Sequence, residues 1–273
     1  MTTPLGRDTL RRVDPSLLRA VMRERTHHSF EYVLYRAIFG GGKLSEGAIR
    51  NVEEVLGTCR ERGLSPDLPD MRWAQALLDL AKTVRAGKTV TVAAERPTPF
   101  APAELAAVDR LIFGRRSIRL WTADPVPDAL VHRVIEAGLW APHACNLQCT
   151  RVIVVTKTTA KHLLPGGETR GAAVYLVICR DVRAYEHYAA TVPLHNRGLD
   201  AGAAVQNMLL MAHALGLGAV WGTFDDAAAQ RIRGHFTVPE EIELITYIGL
   251  GWPAEAHIAP GRLTVEDAVV ARG

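Results

Sequence analysis

Arg115-Arg116-Ser117-Ile118-Arg119 gathers three guanidinium groups and a hydroxyl within five residues, directly after an apolar lead-in of Leu111, Ile112 and Phe113. Each guanidinium is a planar fork of donors that matches a phosphate or a carboxylate. Three forks this close repel one another unless an anion sits among them or water screens them. Taken alone, the cluster reads either as a solvated basic turn or as an anion site. A second stretch, Ala141-Pro142-His143-Ala144-Cys145-Asn146-Leu147-Gln148, is rich in small and amide side chains. Such side chains can approach a planar heterocycle closely and hydrogen-bond its edge.

The elements around these stretches follow from periodicity and punctuation. From Pro15 to about Lys88 the pattern is helical. Asp14 caps the opening with Pro15 in the first turn, and a break is expected near His27-His28. Gly40-Gly41-Gly42 ends that segment. Ser45 caps a helix carrying Ile49, Val52, Leu56 and Cys59 on one face, and Gly63 closes it. Asp70 is expected to open a third helix with Trp73, Ala76, Leu77, Leu80 and Val84 inward. Pro97, Pro99 and Pro102 mark a linker from about Lys88 to Pro102. Residues 1–102 therefore read as a helical extension plus linker, and 103–273 as the main domain.

In the main domain, Glu104 to Phe113 predicts a helix leading into the arginine cluster. Asp128 is read as the cap of another, with Leu130, Val131, Val134, Ile135, Leu139 and Trp140 as its apolar positions and Pro142 as its stop. Arg151–Thr156 and Val174–Cys179 read as buried strands, with a polar, Gly-rich Lys161–Gly171 between them. Tyr185–His195 reads as a loop. Leu199 to Leu215 is apolar almost all round, with polar positions at Gln206, Asn207 and His213, so it must be buried from several sides. Its small residues Ala201, Gly202, Ala203 and Ala204 admit a close neighbour. Ala219-Val220-Trp221 enters a strand, Asp225 to Phe236 is a short helix, and Glu243 to Gly251 is the last strand.

Several function classes fall away. The net charge of +3 over 273 residues is too small for nucleic-acid binding by bulk electrostatics, and no basic run is interleaved with aromatics. Cys145 and Cys149 form C-x3-C without a second pair, which is not a zinc pattern, and no metal is expected. Gly40-Gly41-Gly42-Lys43 lacks the spacing of a phosphate loop. His27-His28 has no partner at ligand spacing. Met1 to Arg12 is polar and no apolar run approaches membrane-spanning length, so a cytoplasmic protein without a membrane partner is expected.

From about Ala107 onward, four motifs in order resemble the FMN-dependent nitroreductase superfamily. They are RRSIR-LW at Arg115 to Trp121, APHACNLQ at Ala141 to Gln148, the Leu199 to Gly222 helix with its GLG-x-x-W turn, and IGLGWPAE at Ile248 to Glu255 with Arg262 beyond. The resemblance implies an α+β fold: a mostly antiparallel sheet flanked by helices, here with an extra N-terminal helical segment, assembled as a homodimer with FMN at the interface. It implies that Arg115 and Arg262 clamp the FMN phosphate with Arg116 beside it or on the ribityl chain, and that Ser117 meets the ribityl or pyrimidine edge. Arg119 would lie near the N1/O2 edge, where its charge favours the reduced anionic ring. Asn146 and Gln148 would meet the pyrimidine side, Pro142 and His143 are further cofactor-binding candidates, and Trp221, Gly222 and Thr223 would line the ring from the other end. Arg119 and His143 are the catalytic candidates.

Two departures are visible: the family's Ser after Ala-Pro is His143 here, and Pro-Trp after Gln is Cys149-Thr150. His143 could contact the flavin, donate a proton to substrate or make a loop hydrogen bond. The reaction implied is hydride transfer from transiently bound NAD(P)H through FMN to an electron-poor acceptor such as a nitroaromatic or quinone. Two alternatives stand beside it. One is a specialised flavoenzyme that dehydrogenates, dehalogenates or consumes its flavin. The other is a non-catalytic FMN-binding protein.

Overall fold

Prolines and short polar caps set where the first helices begin. A computed structural model describes residues 5–90, 92, 97–164, 171–188 and 192–273. After a short α1 (Arg7–Leu10), α2 (Pro15–Thr26) opens with Asp14, whose carboxylate accepts from the Ser16 N–H. The break expected at His27-His28 is instead a π-helical turn, His27–Glu31, that runs without interruption into α3 (Tyr32–Phe39). The helix there widens to i→i+5 hydrogen bonding, as a π-bulge, rather than breaking. Ser45 caps α4 (Glu46–Glu61) by accepting from the Ala48 N–H. α5 (Pro69–Arg85) has Leu68 as its cap residue, and buries Met71, Ala74, Leu78 and Ala81 while Ala76 is exposed. Asp70 is no cap; it is buried and paired with Arg19 and Arg23.

The main domain continues with α6 (Pro102–Gly114) and α7 (Asp128–Leu139), the latter capped at Pro127 rather than Asp128. Next come β1 (Thr150–Thr156), α8 (Lys157–Leu163), β2 (Val174–Asp181) and α9 (Val182–His187). The chain closes with α10 (Leu194–Ala214), β3 (Gly218–Gly222), α11 (Asp226–Phe236), β4 (Ile242–Gly251) and a last turn, α12 (Val265–Ala268). The supposed loop at Tyr185–His195 is thus helical at both ends. Residues 189–191 of it, 165–170 of the Gly-rich segment, and 91 and 93–96 of the linker lie outside the described residues.

The four strands form one antiparallel sheet in the order β1-β2-β4-β3. Strand alternation sends Leu176, Ile178, Ile248 and Leu250 to one face, under α7 and α10, and Tyr175, Val177, Cys179 and Tyr247 to the other, under α8 and α11. β1 is an edge strand with Val154 about half exposed, so its reading as a buried strand is corrected. α10 lies against the sheet with α7 packed on it, and Gly138 of α7 permits this because a Cβ there would strike Met208. Leu139 and Trp140 turn away from that core and are exposed.

The N-terminal helices do not enclose a core of their own. Leu18, Met22, Phe30, Val52 and Leu56 share one buried cluster with Leu147, Cys149, Tyr185 and Tyr188 of the main domain. Asp14 pairs with Arg183 and Tyr188 donates to Glu24 across the same seam. No described helix is long and apolar enough to cross a membrane.

Candidate functional site

The arginine cluster is fixed as the chain leaves α6. The Ile118 N–H donates to the Ala219 carbonyl at 3.1 Å, and Ser117 bridges Ala219 in parallel. Gly218 lets Ile118 pass, because a Cβ at 218 would strike the isoleucine side chain. Trp121 Nε1 donates to the Gly218 carbonyl at 3.0 Å. The segment therefore lies along the outer edge of β3, and alternate residues on it face away from the core.

From the other end of the chain, Glu255 fastens the same segment. Its carboxylate accepts from the backbone N–H of Arg119 and from that of Leu120, the latter at 2.9 Å, and His257 Nε2 stands 3.1 Å from it. These donors hold the Glu255 carboxyl down at about 2, led by the Arg119 N–H. The tail that follows closes a cavity of about 280 Å³ lined by Arg115, Arg116, Ser117, Arg119, His257, Ile258, Pro260 and Arg262. Four of those residues are arginines and none is acidic.

Burial, with the added charge of Arg262 and Arg116, lowers Arg115 below the ordinary arginine range. Arg116 turns one amine back to the Phe113 and Arg115 carbonyls at 2.7 and 2.9 Å, and its buried Nε has no partner. A cluster of cations held together by backbone contacts, with like charges destabilising one another, fits a polyanionic group such as a phosphate.

The amide loop is built differently. Cys145, Asn146 and Gln148 all adopt left-handed backbone, with φ of 50°, 54° and 51°. Each costs roughly 1–2 kcal/mol for a residue with a side chain. Ala144 N–H donates to both Asp200 oxygens at 3.1 Å, and Tyr185 donates to the same carboxylate at 2.5 Å. Gln148 is exposed, and its Nε2 donates to Asn146 Oδ1 at 2.9 Å. The His143 ring is buried with Nδ1 4.0 Å from Asp200, and burial lowers its pKa. The ring does not line the arginine cavity. Cys149 is pushed up to about 12 by burial, which makes it a poor nucleophile at neutral pH.

At the end of β3, Trp221 is about half exposed, and its Nε1 donates to Thr246 Oγ1 at 2.6 Å. Gly222 cannot bear a side chain, because a Cβ there would sit inside the Tyr247 ring. Thr223 is exposed beside it.

Of the residues singled out from sequence, Arg115, Arg116, Ser117, Arg119 and Arg262 meet in one cavity. Pro142, His143, Asn146 and Gln148 form a separate turn, and neither they nor Trp221, Gly222 and Thr223 line that cavity. Sequence reasoning assigned no role to Glu255, His257 or Asp200. Glu255 lies inside the quoted IGLGWPAE motif, which was the available signal. Asp200 was hidden as one polar residue in an apolar helix. Among the described residues, no group of three or more His, Cys, Asp or Glu is arranged to hold a metal ion.

A family model described as "Nitroreductase family" matches residues 112–165 and 160–252. A Methanothermobacter thermautotrophicus protein, provisionally named an NADH dehydrogenase/NAD(P)H nitroreductase, is 32% identical over 148 residues, 52% of this chain and 74% of its own. The NADPH-flavin oxidoreductase of Vibrio harveyi is 31% identical over 173 residues, 58% of this chain and 70% of its own. A nitroreductase-like protein of Desulfovibrio desulfuricans, crystallised in complex with FMN, superposes with a TM-score of 0.51 at 31% identity, covering 64% of this chain and 99% of its own.

Proposed function

The chain belongs to the nitroreductase family, and on that footing we propose that it is an FMN-dependent oxidoreductase taking hydride from NAD(P)H and delivering it to an electron-poor acceptor such as a nitroaromatic or quinone. The observation that carries this reading is the cavity lined by four arginines and no carboxylate, in which burial, and after it the charges of Arg262 and Arg116, disfavour the Arg115 cation. A bound phosphate relieves that repulsion, so part of the affinity comes from the cluster itself.

In this reading Arg115 and Arg262 hold the phosphate, Arg116 stands beside them, and Ser117 contacts the ribityl chain. Bound FMN supplies the hydride chemistry. Arg119 places positive charge at the ring edge where negative charge develops. Glu255 fixes the Arg119 backbone and so sets where that charge lies. The exposed Trp221, with Gly222 and Thr223, offers a flat surface and open backbone for the ring. His143 is enclosed, with Nδ1 4.0 Å from Asp200 and without a hydrogen-bond partner among the described residues, which favours a packing role in the loop over proton donation.

Because Asn146 and Gln148 do not line the arginine cavity, the reading assigns them to a second copy's flavin in a homodimer. Exposed apolar residues on the elements beside the site support such a partner: Ile112 and Phe113 on α6, and Trp140 after α7, the last 83% exposed. Steady-state oxidation of NADH or NADPH by the FMN-loaded protein, with a quinone or nitroaromatic as acceptor, tests the proposal. Turnover dependent on both substrates is expected. Tight FMN binding with no turnover for any acceptor would favour a non-catalytic flavin-binding protein.

A further inference from the structure

The N-terminal helices lie wholly outside the residues matched by the family, yet one of their side chains reaches the amide loop. Arg23 of α2 is about 5% exposed. Its Nη1 donates to Asp70 Oδ2 at 2.9 Å, and its Nη2 donates to the Leu147 carbonyl at 2.7 Å. Leu147 is the residue between Asn146 and Gln148, and its side chain is fully buried among the α2 residues.

A buried guanidinium is a costly way to fill space, since an apolar side chain of similar size packs there with no charge to desolvate. What an arginine adds is a rigid fork with a fixed direction. Asp70 sets that direction, and Arg19 holds Asp70 from the other side with donor distances of 2.9 to 3.1 Å. The fork then fixes a single peptide plane, that of Leu147.

That plane matters because the backbone around it is strained. Three left-handed residues in four persist only where the surroundings over-determine them. Asp200 fastens the loop at Ala144. Arg23 fastens it at Leu147. The π-helical turn at His27–Glu31 packs on residues 144–146 between the two. Arg151 of β1 donates to the Gln148 carbonyl at 3.0 Å, so two of these four restraints come from the extension.

We propose that Arg23 is a positioning residue for the flavin-contacting loop: by holding the Leu147 carbonyl, it keeps Asn146 and Gln148 presented in the left-handed geometry needed to meet the ring. The N-terminal extension is then a brace for the active site. This rests on the reading that Asn146 and Gln148 contact FMN, and the test separates the two.

FMN dissociation constants are measured by flavin fluorescence for the wild type, Arg23→Lys, Arg23→Met, Asn146→Ala, Gln148→Ala and the double variant Arg23→Met/Gln148→Ala, with Lys82→Gln as control. A lysine in place of Arg23 can serve Asp70 or Leu147 but not both, and it keeps the charge if the methionine variant fails to fold. The expected result is a rise in dissociation constant on the order of tenfold for the Arg23 variants, and less than about twofold for Lys82→Gln, whose ammonium pairs with Glu53 on the extension and is bonded to neither Asp70 nor the loop. In the Gln148→Ala background the Arg23 change adds little, since both act through one contact. Amide exchange of residues 143–148 in Arg23→Lys is expected to speed up while that of β2 and β4 stays as in the wild type. Should the two variants multiply independently, or should exchange of the loop be unchanged in Arg23→Lys, Arg23 is merely structural and the proposal is overturned. If Gln148→Ala and Asn146→Ala each bind FMN as the wild type does, the loop does not meet the flavin. The reading beneath then fails and the proposal falls with it.

Discussion

Arg115 and Arg262 lie 147 positions apart in sequence and line one cavity, where the charge of Arg262 makes the charge of Arg115 harder to hold. Folding brings two like charges together with no acidic side chain among the lining residues. Such an arrangement is unfavourable in the empty site and favourable once a polyanion is bound.

Arg119 should separate from Arg115 in its effect. Arg119→Gln keeps a hydrogen-bond donor but removes the charge proposed to lie at the ring edge. The expected outcome is a lower midpoint potential for bound FMN and slower reduction by NAD(P)H, with FMN affinity changed less. A loss of about 1.4 kcal/mol corresponds to roughly 30 mV for a two-electron couple. Spectroelectrochemistry of the wild type and the variant checks it. An unchanged potential would remove Arg119 from the ring edge.

Glu255 gives a pH signature. Its folded-state value of about 2 lies below the ordinary 4.5, so ionised Glu255 contributes stability that is fully present above about pH 4.5 and is lost as pH falls towards 2. Thermal unfolding of wild type and Glu255→Gln is the measurement. The difference between them should be constant from pH 7 to about 5 and shrink between about 4.5 and 2. A difference already falling between pH 7 and 6 would assign it to another group.

Trp140 tests the assembly. It is 83% exposed and lines a groove of about 550 Å³ with Leu111, Ala137, Leu210 and Met211. If a second copy covers that groove, Trp140→Glu should shift the protein to monomer, at a cost of about 2 kcal/mol or more for a buried aromatic anchor. FMN should be lost in parallel. Sedimentation velocity with absorbance at the flavin band reads both at once. A wild-type monomer that retains FMN would contradict the dimeric site.

The parts of the fold that sequence made legible are those set by local physics. The caps at Asp14 and Ser45 each accept the hydrogen bond that their position predicts. The strands fall within a residue or two of their apolar runs, because β-branched residues between turn signals leave few alternatives. The arginine cavity was legible for a different reason: four of its eight lining residues sit in one motif, and Arg262 follows another. What the sequence hid is what distant segments supply. Asp70 looks like a helix cap until Arg19 and Arg23 are placed beside it. The left-handed turn at Cys145, Asn146 and Gln148 carries no glycine to announce it, since its restraints come from Asp200 and Arg23, over 50 and 120 positions away. The exposure of Leu139 and Trp140 was likewise invisible to helical periodicity, which reports apolar faces but not what covers them.

The central claim is that the arginine cavity holds the phosphate of FMN, and titration of the purified apoprotein with FMN, riboflavin and FAD tests it most directly. A charge-assisted phosphate contact contributes about 1.5–3 kcal/mol, or roughly ten- to a hundredfold in affinity. Wild-type protein should therefore bind FMN at least tenfold more tightly than riboflavin and in preference to FAD. Arg115→Gln should remove most of the FMN advantage while leaving riboflavin binding as it was. Equal affinity for FMN and riboflavin in the wild type, or an Arg115→Gln variant that still distinguishes them as the wild type does, would contradict the account.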